Sequence, residues 1–147
     1  MKKIITFIFI GLFCALSLSA QGRKSREKIK ALKISYLTEQ LALTSNEAEK
    51  FWPIYNIYNT EQQSLRNKYR DELKKSIKKN HALDSLNENV AEKLVALKLQ
   101  TDKQLYESKN SFIKNIKKVI SYKKIIKLQI AEMEFGRKLM RKYRHKK

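Results

Sequence analysis

The chain has 147 residues and a formal net charge of +19, with 33 lysines and arginines against 14 acids. It has three glycines and one proline, and no glycine between Gly22 and Gly136. A sheet protein needs turn residues about every 8–12 positions, so the composition excludes that class and predicts a few long helices. With Cys14 as the only cysteine, a disulfide within the chain is excluded as well.

The N-terminal segment predicts a cleaved secretory signal peptide over residues 1–20. A short basic stretch precedes an apolar run from Ile4 to Leu18, and Ala20 is a small residue at the expected cut. The run of about 15 residues is shorter than the roughly 20 that cross a bilayer. Large residues precede Cys14, which argues against lipoprotein acylation there. We therefore expect a periplasmic protein with a single domain over residues 21–147.

The first predicted helix runs from about Ser25 to Leu41, where apolar residues recur at helical spacing. A capping box then predicts the start of a second helix. The Thr44 side chain can accept from the Glu47 amide, and the Glu47 carboxylate can accept from the Thr44 amide. Pro53 lies beyond the first turn of this helix, so it predicts a bend.

The second helix carries an apolar stripe nearly 30 residues long, which is about 45 Å at 1.5 Å per residue. Its members, with Gln62 filling one gap, are Phe51, Tyr55, Tyr58, Leu65, Tyr69, Leu73 and Ile77. A polar break follows over residues 78–84. The next segment, residues 85–88, repeats the capping-box pattern with Ser85 as the expected cap.

A third helix is predicted after this cap, with near-heptad spacing that favours antiparallel packing against the second helix. Its apolar positions are Val90, Leu94, Leu97, Thr101, Leu105, Phe112, Ile116 and Val119. Ser121 is the expected cap of a fourth helix, and Lys124 occupies the position where an acid would complete a capping box. The apolar positions of the fourth helix are Ile125, Leu128, Ile130, Met133, Phe135, Leu139, Met140 and Tyr143.

No residue pattern in the chain predicts an enzyme. A phosphate-cradling loop needs clustered glycines, which the chain lacks. His81 and His145 have no cysteine or carboxylate at metal-ligand spacing, so both are interpreted as solvated surface residues. We expect no catalytic residues, no metal and no cofactor. Export also makes nucleic acid an improbable partner for the excess positive charge, and leaves envelope proteins and anionic membrane surfaces.

Residues 43–47, Leu-Thr-Ser-Asn-Glu, resemble the LTxxQ motif of the Spy/CpxP family of periplasmic stress chaperones. Glu47 stands in place of the final Gln. Residues 120–124, Ile-Ser-Tyr-Lys-Lys, stand where the family carries the motif a second time, changed conservatively at Ile120 and Ser121. The segment 26–55 looks like small secreted members from Bacteroidetes-type bacteria that are often labelled sensors of extracytoplasmic-function sigma factors.

The resemblance implies a four-helix, cradle-shaped fold that forms a homodimer and binds unfolded proteins without ATP on a basic, partly apolar face. Some relatives bind zinc through histidine-rich segments, which this chain lacks. Leu43, Thr44, Glu47, Ile120 and Ser121 are interpreted as fold-defining caps.

Three functions follow as hypotheses. The first is a periplasmic holdase for unfolded envelope proteins. The second is an envelope-stress regulator that binds one signalling membrane protein. The third is a protein that lies on anionic membrane or lipopolysaccharide. The candidate client contacts are basic and aromatic positions: Trp52, Lys68, Tyr69, Lys117 and Lys118.

Overall fold

A computed structural model describes residues 27–80 and 82–144 of the chain. The predicted signal peptide with its cut after Ala20 lies outside these residues, as do Cys14, His81 and His145. Helix accounts for 87% of the described residues, and none of them lies in a strand. The prediction of an all-α fold of about four helices is therefore confirmed for this part of the chain.

Four helices occur in the described residues: α1 over 27–41, α2 over Ser45–Lys79, α3 over Glu88–Ile116 and α4 over Tyr122–Arg144. They belong to two compact units. One unit contains the described residues of 27–42 and 127–144, and the other contains those of 43–126. None of the helices in these residues has an apolar stretch of the length required to cross a membrane.

Helix α2 begins as the capping box predicts. The Glu47 amide donates to Thr44 Oγ1 at 3.2 Å, and the Thr44 amide donates to Glu47 Oε2 at 2.9 Å. These two bonds satisfy orphan donors at the helix start, which is why the helix begins at Ser45. Pro53 lies inside α2 with an exposed side chain, and the helix continues through it to Lys79.

The predicted start of the third helix is wrong by two residues. Asn87, and not Ser85, caps α3, and its side chain accepts from the Asn89 amide at 2.8 Å. Asparagine and serine are equally good caps, so the sequence offered two competing starts. The helix also ends earlier than the predicted stripe, at Ile116, which leaves Val119 half-buried in the connection to α4.

Helices α2 and α3 form an antiparallel hairpin, as the near-heptad spacing predicts. The Tyr58 and Phe112 rings stack at 4.2 Å between centroids. Further along α2, the Gln62 side chain donates to the Leu105 carbonyl, which lies further back along α3. The residue number of the contact rises from 58 to 62 on α2 and falls from 112 to 105 on α3, so the two helices are antiparallel.

Gln62 interrupts the apolar stripe of α2 without leaving a polar atom unpaired. The side chain is buried, and its Nε2 donates to the Leu105 carbonyl at 2.9 Å while its Oε1 accepts from Arg66 Nη2 at 3.0 Å. A buried amide that lacked these partners would cost roughly 1–3 kcal/mol. All buried side-chain nitrogen and oxygen atoms within the described residues have a partner in the same way.

In the unit of 27–42 and 127–144, α1 packs against α4. Leu37 and Leu41 of α1 are fully buried, as is Leu128 of α4. A polar layer flanks this apolar contact: Lys33 pairs with Glu132 at 3.3 Å, and the Tyr36 hydroxyl donates to Glu134 at 2.9 Å. These polar contacts restrict the orientation of α1 on α4, because charge-assisted hydrogen bonds have narrower geometry than apolar contacts.

Helix α1 ends at an alanine in the left-handed region. Ala42 has φ of 46°, and its amide donates to the Glu39 carbonyl at 3.0 Å. This position usually holds glycine, because a Cβ there costs roughly 1–2 kcal/mol.

Ala42→Gly relieves that strain. It also makes the unfolded chain more flexible, which lowers the stability of the folded protein by about 0.4–1 kcal/mol. We expect a net gain of up to about 1 kcal/mol in the free energy of unfolding, measured by urea titration. A clear loss of stability would contradict this reading of the helix end.

Candidate functional site

A groove of about 410 Å³ runs between α2 and α3. The stacked rings of Tyr58 and Phe112 belong to its wall, and Phe112 is itself nearly buried. Ile57 stands at its edge with 72% of the side chain exposed. Its lining residues are Ile54, Ile57, Tyr58, Glu61, Ser108, Ser111, Phe112, Asn115, Lys118 and Val119. An aromatic wall beside an uncovered aliphatic side chain can accept an apolar side chain from another molecule.

One hydrogen bond joins the two walls of the groove. Ser108 is buried on α3, and its hydroxyl donates to Glu61 Oε2 on α2 at 2.6 Å. The bond fixes the carboxylate against the α3 wall. The stacked Tyr58 and Phe112 rings make a second contact between the same helices about one turn away. Together the two contacts fix the distance between α2 and α3 at the groove.

The apolar surface continues along α2 beyond the groove. A second concavity, of about 500 Å³, shares Ile57 and Glu61 with the groove and reaches Leu65. Ile57 therefore stands between two adjoining hollows rather than at an isolated spot. An extended segment of another chain could place successive side chains on either side of it.

Positive charge surrounds this end of the hairpin. Between residues 108 and 126 the chain has no acid and six lysines: Lys109, Lys114, Lys117, Lys118, Lys123 and Lys124. Lys118 lines the groove itself. Lys114 lies in the last turn of α3, and Lys117 and Lys118 follow directly on its C-terminus, where the helix dipole favours cations. The apolar groove thus lies within a field that attracts acidic segments.

The structure distributes the five candidate contact residues over separate places. Lys118 lines the groove, and Lys117 beside it is exposed at the C-cap of α3. Trp52 is half-buried, with its ring edge-on to Phe51 at 5.0 Å. Its ring is thus already engaged in packing within α2.

The other two candidates lie further along α2. Lys68 lines an open, polar concavity on the outer face of this helix. Tyr69 is half-buried, and Lys98 of α3 lies over its ring at 5.9 Å. About 16 residues, or roughly 24 Å of helix, separate these positions from Trp52. The five residues do not form one cluster.

The residues that form the groove were not identified from the sequence. Ile54 and Ile57 lie off the long apolar stripe, and a single aliphatic residue off a stripe is a weak signal. Ser108 carried a stronger one, because it occupies a stripe position between Leu105 and Phe112 where an apolar residue is expected. A polar residue on a packed stripe needs a partner on the facing helix, which here is Glu61.

The two caps that carry the motif resemblance meet in space. Ser121 accepts from the Lys124 amide at 3.3 Å, which confirms it as a cap of α4. Lys124 Nζ then donates to Glu47 Oε2 at 2.6 Å, although 77 residues separate the two side chains in sequence. The two positions that depart from the final Gln of the family motif are therefore ion-paired with each other.

This ion pair favours the charged form of Glu47. The hydrogen bond from Lys124 lowers the pKa of the Glu47 carboxyl, and the hydrogen bond from the Thr44 amide lowers it further. A carboxyl whose pKa is lowered in the folded state adds stability above its unfolded pKa, and this stability is lost as pH falls through the folded value.

We expect Glu47→Gln to lower the melting temperature at neutral pH, because the amide cannot make the charged bond to Lys124. The difference between the two proteins should shrink as pH falls below the ordinary glutamate range, where Glu47 itself becomes neutral. Melting curves of both proteins from pH 7 to pH 3 measure this. A constant difference over that range would show that the charge of Glu47 contributes nothing. Glu49→Gln, an exposed acid two residues away, is the matched control.

Within the described ranges, no three histidine, cysteine or acidic side chains lie close enough to hold a metal ion together. Comparison of the chain with protein-family models, with curated proteins and with solved structures finds no match.

Proposed function

We propose that this chain is an ATP-independent holdase of the Spy/CpxP type, which binds unfolded envelope proteins in the periplasm. The observation that carries the proposal is the groove between α2 and α3. It combines a preformed aromatic wall, an uncovered Ile57 and a lysine, Lys118, in its lining. The motif resemblance and the predicted signal peptide support the family and the compartment.

The groove suits a client without a fixed sequence. It presents the apolar surface of Ile57 and of the Tyr58 and Phe112 rings in two adjoining hollows, and this surface favours apolar side chains in general over one particular side chain. Unfolded chains expose such side chains, whereas folded proteins bury most of them. This difference gives selectivity for the unfolded state.

The lysines supply the first step of capture. Long-range attraction raises the rate at which acidic or mixed-charge segments reach the surface, and short-range apolar contact then holds them. Attraction of this kind is screened over about 8–10 Å at physiological salt. The proposed mechanism therefore predicts binding that weakens as salt rises and that needs no nucleotide.

Aggregation of an unfolded client, followed by light scattering with the chain from residue 21 onward, tests the proposal. We expect suppression without ATP at low salt and weaker suppression at 0.5 M salt. No suppression at low salt, even with a large molar excess of the chain, would remove the holdase function. An exported basic protein without apolar groove surface, at equal concentration, controls for charge alone.

A regulator that binds one signalling membrane protein is the alternative outcome. Pull-down from envelope extracts should recover many clients in small amounts if the chain is a holdase. Recovery of one dominant, stoichiometric membrane protein would favour the regulator instead.

A further inference from the structure

Helix α4 has a second apolar face that points away from the rest of its unit. Ile130, Met133 and Met140 follow one another at spacings of three and seven, so they share one side of the helix. All three are exposed, and Met140 is 70% exposed. The opposite side of the same helix contains Leu128 and Ala131, which are buried. The exposed side is thus not the packing face of α4.

Cations occupy the remaining positions on and beside this exposed face. Arg137 lies between Met133 and Met140 on the same side, and Arg144 follows Met140 by one turn. Arg141 is exposed beside them. These residues with Ile130, Met133 and Met140 form what we call the outer face of α4. Its apolar and cationic side chains are interspersed along about four turns of helix, or roughly 21 Å.

The acids of this part of α4 are engaged elsewhere. Residues 127–144 contain two acids, and each has a partner on α1: Glu132 pairs with Lys33, and Glu134 accepts from the Tyr36 hydroxyl. The negative charges are therefore fixed toward α1, which leaves the outer face with cations. Tyr143, half exposed, adds an amphipathic ring near the helix C-terminus.

We infer that the outer face of α4 docks the protein onto the surface of an anionic phospholipid bilayer. Helices that lie in the membrane interface combine a strip of apolar side chains with lysine and arginine around it. Arginine can bury its stem beside the methionines while its guanidinium stays at phosphate level. An anionic bilayer matches both the cations and the linear, convex shape of a single helix. This inference is independent of the α2–α3 groove and of holdase activity.

Vesicle flotation with the chain from residue 21 onward tests the inference, since the apolar N-terminal run would itself bind lipid. We expect binding to phosphatidylglycerol-rich vesicles at low salt and not to pure phosphatidylcholine vesicles. Each basic residue near an anionic surface contributes about a fivefold factor in partitioning, so Arg137→Gln with Arg141→Gln should reduce binding about 25-fold. Met133→Ser with Met140→Ser should reduce it about fivefold or more.

The matched control is Lys74→Gln with Lys78→Gln, which removes the same charge from exposed positions on α2. It should leave vesicle binding within about twofold of the unchanged protein, because those lysines are not on α4. Equal losses for the two pairs would overturn the inference, since net charge alone would then explain binding. Absence of binding to phosphatidylglycerol vesicles would overturn it too. So would a dimer that Met133→Ser with Met140→Ser dissociates while vesicle binding is unaffected.

Discussion

Phe112→Ala is expected to destabilise the protein by about 3–5 kcal/mol, the range for removing a buried aromatic ring. Phe112 is 6% exposed and contacts α2 at two places. Its ring stacks on Tyr58 at 4.2 Å and meets the edge of Tyr55 at 6.2 Å. Removal of the ring takes away both contacts at once and leaves a cavity between α2 and α3.

Urea unfolding of the unchanged protein and the variant measures this loss. Phe112→Leu is the graded control, because it keeps apolar volume while removing the ring; its cost should be clearly smaller, at about 1–2 kcal/mol. A cost below about 1 kcal/mol for Phe112→Ala would show that the ring does not hold α3 against α2 as described.

Ile57→Glu is expected to raise the amount of protein needed for half-maximal suppression of aggregation by about tenfold, which corresponds to roughly 1.4 kcal/mol of binding free energy. Ile57 lines both hollows of the proposed client site, and a carboxylate there replaces the uncovered aliphatic side chain with a charge. Because the side chain is mostly exposed, the melting temperature should change little.

Leu99→Glu on α3 is the matched control. Leu99 is 65% exposed, does not line the groove, and undergoes the same change of charge and polarity. It should leave suppression within about twofold of the unchanged protein. Similar losses for the two variants would mean that clients bind exposed apolar side chains wherever they occur, and the groove would lose its assigned role.

Local patterns in the sequence predicted most of the helix boundaries. The Thr44–Glu47 capping box involves side chains three residues apart, so the sequence contains all that decides the start of α2. The sequence alone does not decide the start of α3, because Ser85 and Asn87 are both competent caps and lie two residues apart. Which of them wins depends on how the connection from α2 packs, and that is not a local property.

The groove depends on contacts between residues far apart in the chain, which local sequence patterns do not predict. The apolar stripes predict which faces of α2 and α3 meet, but they do not show which residues beside the contact stay uncovered. Ile57 is such a residue, and the pairing of Glu61 with Ser108 joins positions 47 residues apart. The Glu47–Lys124 pair likewise depends on how two caps meet, although both positions departed visibly from the family motif.

Photo-cross-linking from position 57 tests the central claim most directly, namely that unfolded clients bind in the groove between α2 and α3. A photoreactive phenylalanine analogue at position 57 should cross-link an unfolded client without ATP, and should not cross-link the same client when folded. The same analogue at position 99 should give little product. Equal cross-linking from both positions, or none from position 57 while aggregation is still suppressed, would contradict the account.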